Sequence, residues 1–452
     1  MSVRADLVVR DAELLVTMTG EELPGGWVAI ADGLVSAIGR PGDEPRAAAT
    51  VDAGGCLVTP GLINTHHHIF QNLTRSYRPV VNADLLTWLH VLGETWTALD
   101  EEAAYVSAWI GLAELALGGC TTSSDHLHIH PAARLIDAEI AAAREVGLRF
   151  HPARGGMDLR PEEGGVIPPA AVQDIDTILE DCERLVATHH DPGHGAMVRI
   201  AIGPSSMFDS TPELMREARQ LADRLDVRLH THLAQVPDEE AFCMGRFGRG
   251  AVELFDDLGW ASDRSWVAHC IFPGEDGIRR LGERGTGVAH CPSSNMLICQ
   301  GLAPVAELRA AGVPVGLGCD GSASTDHASL WLEARTALLI GRARHGSQAM
   351  SARDVLSIAT RGSAACLGRE GELGILAPGA CGDLVVWPLE GIPFAGALSD
   401  PVEAWLRCGP VAARHTVVAG RPVVRDGVLT VDGVEDMLAR HRTIAAAWQK
   451  GT

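Results

Sequence analysis

Two histidines that share one face of a short apolar segment are the first sign of chemistry in this sequence. The run Thr65-His66-His67-His68 closes that segment. In an extended strand alternate residues point the same way, so His66 and His68 lie together and His67 points away. Two converging imidazoles can hold a divalent metal at about 2.0–2.1 Å. A hydrogen-bonded histidine cluster is the alternative that this motif leaves open.

Three later segments end in donors of the same kind. His232 ends the fifth apolar segment, His269 ends the sixth and Asp320 ends the eighth. A hydrolytic zinc site needs about three or four protein ligands and an open position for water. The residues that supply this number are His66, His68, His232 and Asp320. His269 is then free to hydrogen-bond the bound water or the attacked centre.

A metal site of this composition predicts hydrolysis. Zinc lowers the pKa of its bound water from about 15.7 to about 7, which makes a nucleophile available at neutral pH. Asp320, beside that water, can accept its proton and pass it to the leaving group. The activated water adds to an electron-poor ring carbon, and the tetrahedral intermediate then loses ammonia or another leaving group.

The elements that position these residues alternate between strand and helix. Short apolar strands with helical connections, most of them ending in a polar side chain, favour an α/β fold with a distorted (β/α)8 TIM-type barrel. A doubly wound open sheet is the alternative. The predicted strands are residues 62–68, 120–125, 148–154, 198–203, 227–232, 265–269, 287–290 and 315–320. The predicted helices include residues 101–117, 133–145, 212–225 and 304–311.

Both ends of the chain predict β-structure. The terminal strands are expected at residues 5–15, 27–30, 34–38, 383–387 and 416–424. Because chain ends often lie close together, we expect them to form one small β-sandwich. The predicted domains are a composite sandwich of residues 1–59 with 375–432, a hydrolase barrel of residues 60–374 and a C-terminal helix in residues 433–452.

Composition limits the partners. Acidic residues outnumber basic ones 58 to 37, for a net charge of −21, which argues against binding to nucleic acid or to anionic lipid. The sequence shows neither an apolar run long enough to span a membrane nor a secretory signal. Eleven scattered cysteines are typical of reduced, buried thiols. We therefore expect a cytoplasmic protein with a small-molecule substrate.

These motifs resemble those of the amidohydrolase superfamily, in its branch of aminohydrolases and chlorohydrolases that act on nitrogen heterocycles. That branch includes guanine and 8-oxoguanine deaminases and s-triazine hydrolases. The resemblance extends over nearly the whole chain and rests on residues 60–68, 289–295 and 319–322 together with His232 and His269.

The resemblance implies one zinc ion per chain, or sometimes iron, on the four ligands named above. It implies that His269 stabilises the bound hydroxide and the developing oxyanion. It places substrate contacts at Gln71, Trp88 and Arg154, with the Trp88 ring able to stack on a flat substrate. It also implies a homo-oligomer, commonly a dimer.

One position departs from the family pattern. The deaminase branch usually has a glutamate three residues after the strand-five histidine, where it protonates the ring nitrogen, but this chain has Gln235. A glutamine amide can donate a hydrogen bond but cannot shuttle a proton at neutral pH. The substrate could need no such proton, or the chain could be inactive. Another group could also serve instead, such as Asp238, Glu239, Asp326 or His327.

The predicted function is zinc-dependent hydrolytic deamination of a planar nitrogen heterocycle, with an 8-oxoguanine-like purine or a pterin as leading candidates. The alternatives are chloro- or aminohydrolysis of an s-triazine, hydrolysis of a cyclic amide, and ligand binding by an inactive homologue that retains metal. His126, His128 and His130 are expected at the pocket mouth or on a solvated loop, although a second metal site is the other interpretation.

Overall fold

A closed barrel of eight parallel strands forms the centre of the protein. The computed structural model describes residues 5–165, 167–397 and 399–450. Each barrel strand pairs with its neighbours in chain order, and β8 pairs with β1 to close the ring. The strands β1 to β8 are Leu62–Asn64, Cys120–Leu127, Arg149–Gly156, Ala201–Pro204, Arg228–Leu233, Ser265–His269, Gly287–His290 and Val315–Leu317. The predicted α/β barrel is confirmed, and the alternative of an open sheet is wrong.

Helices connect the barrel strands and cover their outer face. Side chains that accept a backbone N–H mark where several begin, as Asp100 does for Glu101–Leu117 and Thr211 for Pro212–Leu225. The α-helices are Leu85–Trp96, Glu101–Leu117, Leu135–Val146, Ile175–His189, Pro212–Leu225, Pro237–Phe247, Ala251–Asp257, Gly274–Arg284, Pro292–Leu297, Val305–Ala310, Ser322–Thr325, Leu330–His345, Ala352–Ser357, Ser363–Cys366, Pro401–Cys408 and Val434–Trp448. Short 3-10 turns lie at Ile69–Thr74, Arg78–Val80, Pro161–Glu163, Pro169–Ala171 and Ile392–Phe394, and a π-turn lies at Ile358–Gly362.

Both ends of the chain contribute strands to two further sheets. The four-stranded sheet has the order Leu34–Gly39, Trp27–Ala31, Ala5–Arg10, Ala47–Asp52. The seven-stranded sheet has the order Val428–Leu429, Arg421–Arg425, His415–Val418, Leu384–Pro388, Cys56–Pro60, Leu14–Val16, Glu22–Leu23. Alternate residues of both sheets, such as Val28, Val58 and Val386, pack in one buried core. The two chain ends therefore form the expected β-sandwich.

The sandwich is joined directly to the barrel. Its strand Cys56–Pro60 pairs antiparallel with Leu384–Pro388 from the other end of the chain. After Gly61 the same segment continues into β1. The sandwich thus fixes the strand that leads to His66 and His68. The exact domain boundaries given above remain a prediction.

Five of the predicted strands, at residues 5–15, 62–68, 198–203, 315–320 and 416–424, are shorter or more divided than expected. The strand at residues 5–15 is broken at Asp11, whose φ of 61° lies in the left-handed region. β1 ends at Asn64, and His67–His68 instead forms a separate two-residue pair with Asp320–Gly321. The predicted strand at residues 315–320 is divided for the same reason: β8 ends at Leu317, and Asp320–Gly321 belongs to the separate pair. Both ligand-bearing segments therefore leave the barrel wall together, at its carboxyl end.

Within the described parts of the chain, no helix combines the length and the apolar character needed to cross a membrane.

Candidate active site

The four residues predicted as metal ligands meet at the carboxyl end of the barrel. Asp320 Oδ1 lies 3.2 Å from His66 Nε2 and 3.4 Å from His68 Nε2. The Nε2 atoms of His68 and His232 are 3.1 Å apart. All four side chains are buried. Four ligand atoms placed tetrahedrally at about 2.0–2.1 Å from a zinc ion would lie about 3.3 Å apart, so the spacing is that of a coordination shell.

Hydrogen bonds behind two of these histidines fix where their protons lie. His68 Nδ1 is 2.6 Å from the carbonyl oxygen of His126, and His232 Nδ1 is 2.7 Å from that of Ser205. Because a carbonyl oxygen only accepts, Nδ1 must carry the proton in each ring. The Nε2 atoms of His68 and His232 are therefore unprotonated, and their lone pairs face the centre.

A longer chain of hydrogen bonds gives the same result for His66. The carbonyl of Trp266 lies 2.9 Å from His230 Nδ1, so that nitrogen donates and His230 Nε2 is left as an acceptor. His230 Nε2 is 2.8 Å from His66 Nδ1, which must then be the donor. His66 Nε2 is consequently bare, and it has no hydrogen-bond partner among the residues that the structure describes.

Three bare nitrogens and a carboxylate that converge in a buried space repel one another unless a cation lies between them. Burial, followed by the neighbouring imidazoles, holds the pKa of His68 and of His232 well below the usual value. Burial alone would raise the pKa of Asp320. The interactions with His269 and His66 outweigh this effect and hold the pKa well below its usual value. The low pKa values of His68 and His232 keep these two rings neutral, which is the form of imidazole that binds a metal, and a carboxylate binds in its ionised form. The donor set therefore fits a divalent metal.

His269 and the second oxygen of Asp320 lie beside this centre. His269 Nε2 is 3.8 Å from Asp320 Oδ2, and His269 Nδ1 lies 2.9 Å from Asn295 Oδ1. Asp320 Oδ2 also accepts hydrogen bonds from the hydroxyls of Ser294 and Ser324. Both His269 and Asp320 have a positive φ, at 70° and 59°. Such conformations in non-glycine residues persist only where the surroundings fix them, and they concentrate at functional sites.

Of the two positions expected for the histidines that follow the second predicted strand, the solvated loop is wrong. β2 continues to Leu127, so His126 lies on the strand and not on a loop. His126, His128 and His130 are all buried. His126 lies at ligand distance from His66, His68 and His232, although its Nε2 is 2.7 Å from the carbonyl oxygen of Gly203. His128 lines the cavity in front of the centre, as expected for a residue at the pocket, and none of the three side chains is solvated.

A cavity of about 740 Å³, its open mouth included, lies in front of the proposed metal ligands. Trp88, Trp96 and Phe208 form a large part of its apolar wall. Flat aromatic side chains of this kind suit a planar ring. Trp88, predicted as a substrate contact, does line the cavity.

Polar groups in the wall could orient a substrate. Gln71 lines the cavity, and its Oε1 is buried without a hydrogen-bond partner among the described residues. A side chain at Gly321 would clash with it, because a Cβ atom there would be 1.7 Å from Gln71 Oε1. Gln235 and Asp209 also line the cavity. Asp209 was not identified from the sequence.

Arg154 does not line the cavity, contrary to the expectation from the family resemblance. Ala153 packs in the barrel interior, so its neighbour Arg154 faces the outer helices. Its Nε donates to Asp181 Oδ2 at 3.0 Å, and its Nη1 donates to Gln173 Oε1 at 3.1 Å. The guanidinium is therefore bound within the helical layer.

The groups considered as substitutes for the missing acid are not part of the described cavity wall either. Asp238 is exposed at the start of the helix Pro237–Phe247. Glu239 is buried, and its Oε2 accepts the backbone N–H of Gln235 at 2.8 Å. Burial raises the pKa of Glu239 to about 7. Asp326 Oδ1 accepts the backbone N–H of Ser76. Glu239 is thus hydrogen-bonded to the backbone of a cavity-wall residue, Gln235.

Comparisons with known proteins agree with this geometry. The model described as "Amidohydrolase family" matches residues 57–423. The chain is 44% identical over 443 residues to an 8-oxoguanine deaminase from Pseudomonas aeruginosa, which covers 97% of this chain and 98% of that protein. It is 35% identical over 469 residues to a hydroxydechloroatrazine ethylaminohydrolase from Pseudomonas sp. strain ADP, with coverage of 99% and 94%.

Among solved structures, a zinc complex of an atrazine chlorohydrolase from Arthrobacter aurescens superposes with a TM-score of 0.93. That enzyme is 32% identical, and the match covers 97% of this chain and all of the other. Sequence, fold and metal-ligand geometry agree with the resemblance inferred from the motifs. The chain therefore belongs to the amidohydrolase family.

Proposed function

We propose that this protein is a zinc-dependent hydrolase that deaminates a planar nitrogen heterocycle, with 8-oxoguanine as the first candidate. One zinc ion per chain, or ferrous iron in its place, would be held by His66, His68, His232 and Asp320. The observation that carries the proposal is the convergence of three unprotonated imidazole nitrogens on the Asp320 carboxylate. The choice of substrate is supported by the 44% identity to an 8-oxoguanine deaminase over nearly the whole chain.

A bound divalent metal supplies activated water at neutral pH. Asp320 would accept the proton that this water loses on Oδ2, since Oδ1 is the oxygen that lies nearest His66 and His68. The same carboxyl then donates this proton to the departing amine, so that ammonia leaves. The hydroxyl proton that remains on the product moves to the ring nitrogen as the product tautomerises to the carbonyl form. His269, with Nε2 unprotonated, accepts a hydrogen bond from the water and then from the hydroxyl group of the tetrahedral intermediate.

The remaining cavity residues bind and orient the ring. The indole of Trp88 covers a face of the substrate, and the amide of Gln71 pairs with its polar edge. Gln235 donates a hydrogen bond to the ring nitrogen beside the attacked carbon. Its backbone is fixed for this task by the hydrogen bond to Glu239.

A triazine hydrolase is the second candidate. It is favoured by the superposition with the atrazine chlorohydrolase and by Gln235, because a good leaving group reduces the need for an acid at that position. The products separate the candidates. A deaminase releases ammonia, a dechlorinase releases chloride and an alkylaminohydrolase releases an amine. Ring opening of a cyclic amide releases none of these.

The test combines metal analysis of the purified protein with product assays on purines, pterins and triazines. We expect one zinc or iron per chain and ammonia release from 8-oxoguanine. Asp320→Asn serves as the control, since it keeps the shape of the side chain but cannot accept the proton. A protein that binds metal but releases chloride, and no ammonia, would favour the triazine candidate. A protein that binds metal without turnover of any of these compounds would be an inactive homologue.

A further inference from the structure

A second carboxylate, that of Asp209, lines the cavity together with Asp320. It is buried and lies in the segment that follows β4. The hydroxyl of Ser206 donates to Asp209 Oδ2 at 2.9 Å, and the hydroxyl of Ser205 donates to the same oxygen at 3.4 Å. Hydrogen bonds to an ionised carboxylate favour its charged form. The cavity wall therefore presents a fixed negative group.

The position of this carboxylate is held by its own segment. Ser206 Oγ accepts the backbone N–H of Phe208 at 3.1 Å, which leaves its own proton for Asp209. The backbone carbonyl of Asp209 accepts the N–H groups of Asp158 and Leu159, both at 3.0 Å. Contacts of this kind keep a binding group in one orientation before the ligand arrives, which reduces the entropy lost on binding.

The charge of Asp209 also restricts which molecules can enter. Among the described residues that line the cavity, none is arginine or lysine. Arg154, the one guanidinium expected there, is bound to Asp181 instead. A phosphate or carboxylate on the substrate would therefore lie close to a second carboxylate, and the described lining residues offer no arginine or lysine to bind it. The wall suits an uncharged ring that presents N–H donors.

We propose that Asp209 determines specificity by accepting the N–H group of a lactam edge in an oxidised heterocycle; this inference rests on the proposed function. In 8-oxoguanine both nitrogens of the five-membered ring carry hydrogen and flank a carbonyl. In guanine one of these nitrogens is bare. An ionised carboxylate only accepts, so it bonds to an N–H and repels a bare nitrogen. A site built to bind a hydrogen-bond donor discriminates strongly against the analogue that lacks it.

The test measures kcat/KM for ammonia release from 8-oxoguanine and from guanine, with the metal-loaded protein. We expect wild type to prefer 8-oxoguanine by at least about 100-fold. Asp209→Asn offers both a donor and an acceptor, so the preference should fall by roughly 10- to 100-fold, through loss of activity on 8-oxoguanine. Asp238→Asn is the matched control, because Asp238 is exposed and does not line the cavity. It should leave both values unchanged.

Ser206→Ala provides a second variant in case Asp209→Asn does not fold. It keeps the carboxylate and removes the closer of its two hydroxyl donors, so we expect a smaller fall in the preference, of about 3- to 10-fold. Wild type that releases ammonia from neither base would overturn the proposed function and this inference with it. Turnover of 8-oxoguanine with the preference unchanged within about twofold in every variant that folds and binds metal would overturn this inference alone.

Discussion

Replacing His230 with phenylalanine should weaken metal binding without removing a proposed ligand. The His230 ring lies 4.4 Å from the Trp266 ring and nearly parallel to it, so phenylalanine can keep this packing. It cannot accept the proton of His66 Nδ1, which is 2.8 Å from His230 Nε2 in wild type. His66 is then free to carry its proton on Nε2, where the metal must bind. Metal can then bind only after this proton has left Nε2, so the affinity for metal falls.

The expected loss follows from the role of such partners. Removing a hydrogen-bond partner behind a metal-bound histidine typically lowers metal affinity by about 10- to 100-fold, which is about 1.4–2.8 kcal/mol. The measurement is a zinc titration of metal-free protein in competition with a chelator of known affinity. Circular dichroism of the metal-free forms shows whether the variant is folded.

The matched control is His290→Phe. His290 is buried on β7, the strand next to β6, and its Nδ1 has no hydrogen-bond partner among the described residues. The same substitution there should leave zinc affinity within about twofold of wild type. Equal zinc affinity in wild type, His230→Phe and His290→Phe would refute the reasoning that the Trp266–His230–His66 chain prepares the metal site.

Three other predictions concern single positions. Asp320→Ala should purify with about a tenth or less of the wild-type metal content, because it removes the charged ligand. Gln235→Glu should not increase kcat/KM on 8-oxoguanine, because in an active specialist the glutamine is matched to the substrate; ammonia assays measure this. Glu239→Gln should raise the free energy of unfolding more at pH 8 than at pH 5. The pKa of Glu239 is about 7 in the folded protein against an ordinary value of 4.5, so between these pH values the folded state retains a proton that the unfolded chain has lost, and stability falls as pH rises. The variant removes a penalty of at most about 3 kcal/mol, measured by chemical denaturation.

Each of these has a clear opposing result. Full metal occupancy in Asp320→Ala would contradict the ligand assignment. A rise of about 100-fold or more in Gln235→Glu, the size of effect that a general acid gives, would show that wild type lacks an acid it needs. Equal changes in stability at both pH values for Glu239→Gln would contradict the raised pKa. Glu240→Gln is the control for this measurement, because the neighbouring Glu240 is exposed.

The barrel and its metal centre could be predicted because they follow from local patterns. Eight apolar segments of strand length, most of them with a polar residue at the end, were sufficient to indicate a parallel barrel. Alternation along the chain placed His66 and His68 together. The pattern could not show where a strand ends: β1 stops at Asn64 because His67–His68 pairs with Asp320–Gly321, a contact between segments more than 200 residues apart.

Residues behind the site were harder to find from the sequence. His230 was overlooked although a signal was present: histidines separated by one residue occur at 66 and 68, at 126 and 128, and at 230 and 232. The family resemblance places Arg154 at the substrate, but Ala153 packs in the barrel interior, so strand alternation turns Arg154 toward the outer helices. Asp209 lies on an irregular segment after β4. Such a segment lacks the regular repeat of a strand or helix, so the sequence does not indicate which of its side chains face the cavity.

The pairing of Cys56–Pro60 with Leu384–Pro388 has a consequence for how the protein is made. The ribosome completes the second strand only after all eight barrel strands, roughly 15–65 s after the first at about 5–20 residues per second. During that interval one edge of the segment leading to His66 has no neighbour, and unpaired edges of this kind invite aggregation. The newborn chain is therefore expected to need a chaperone until its last sheet strands emerge, and to acquire its metal only after release.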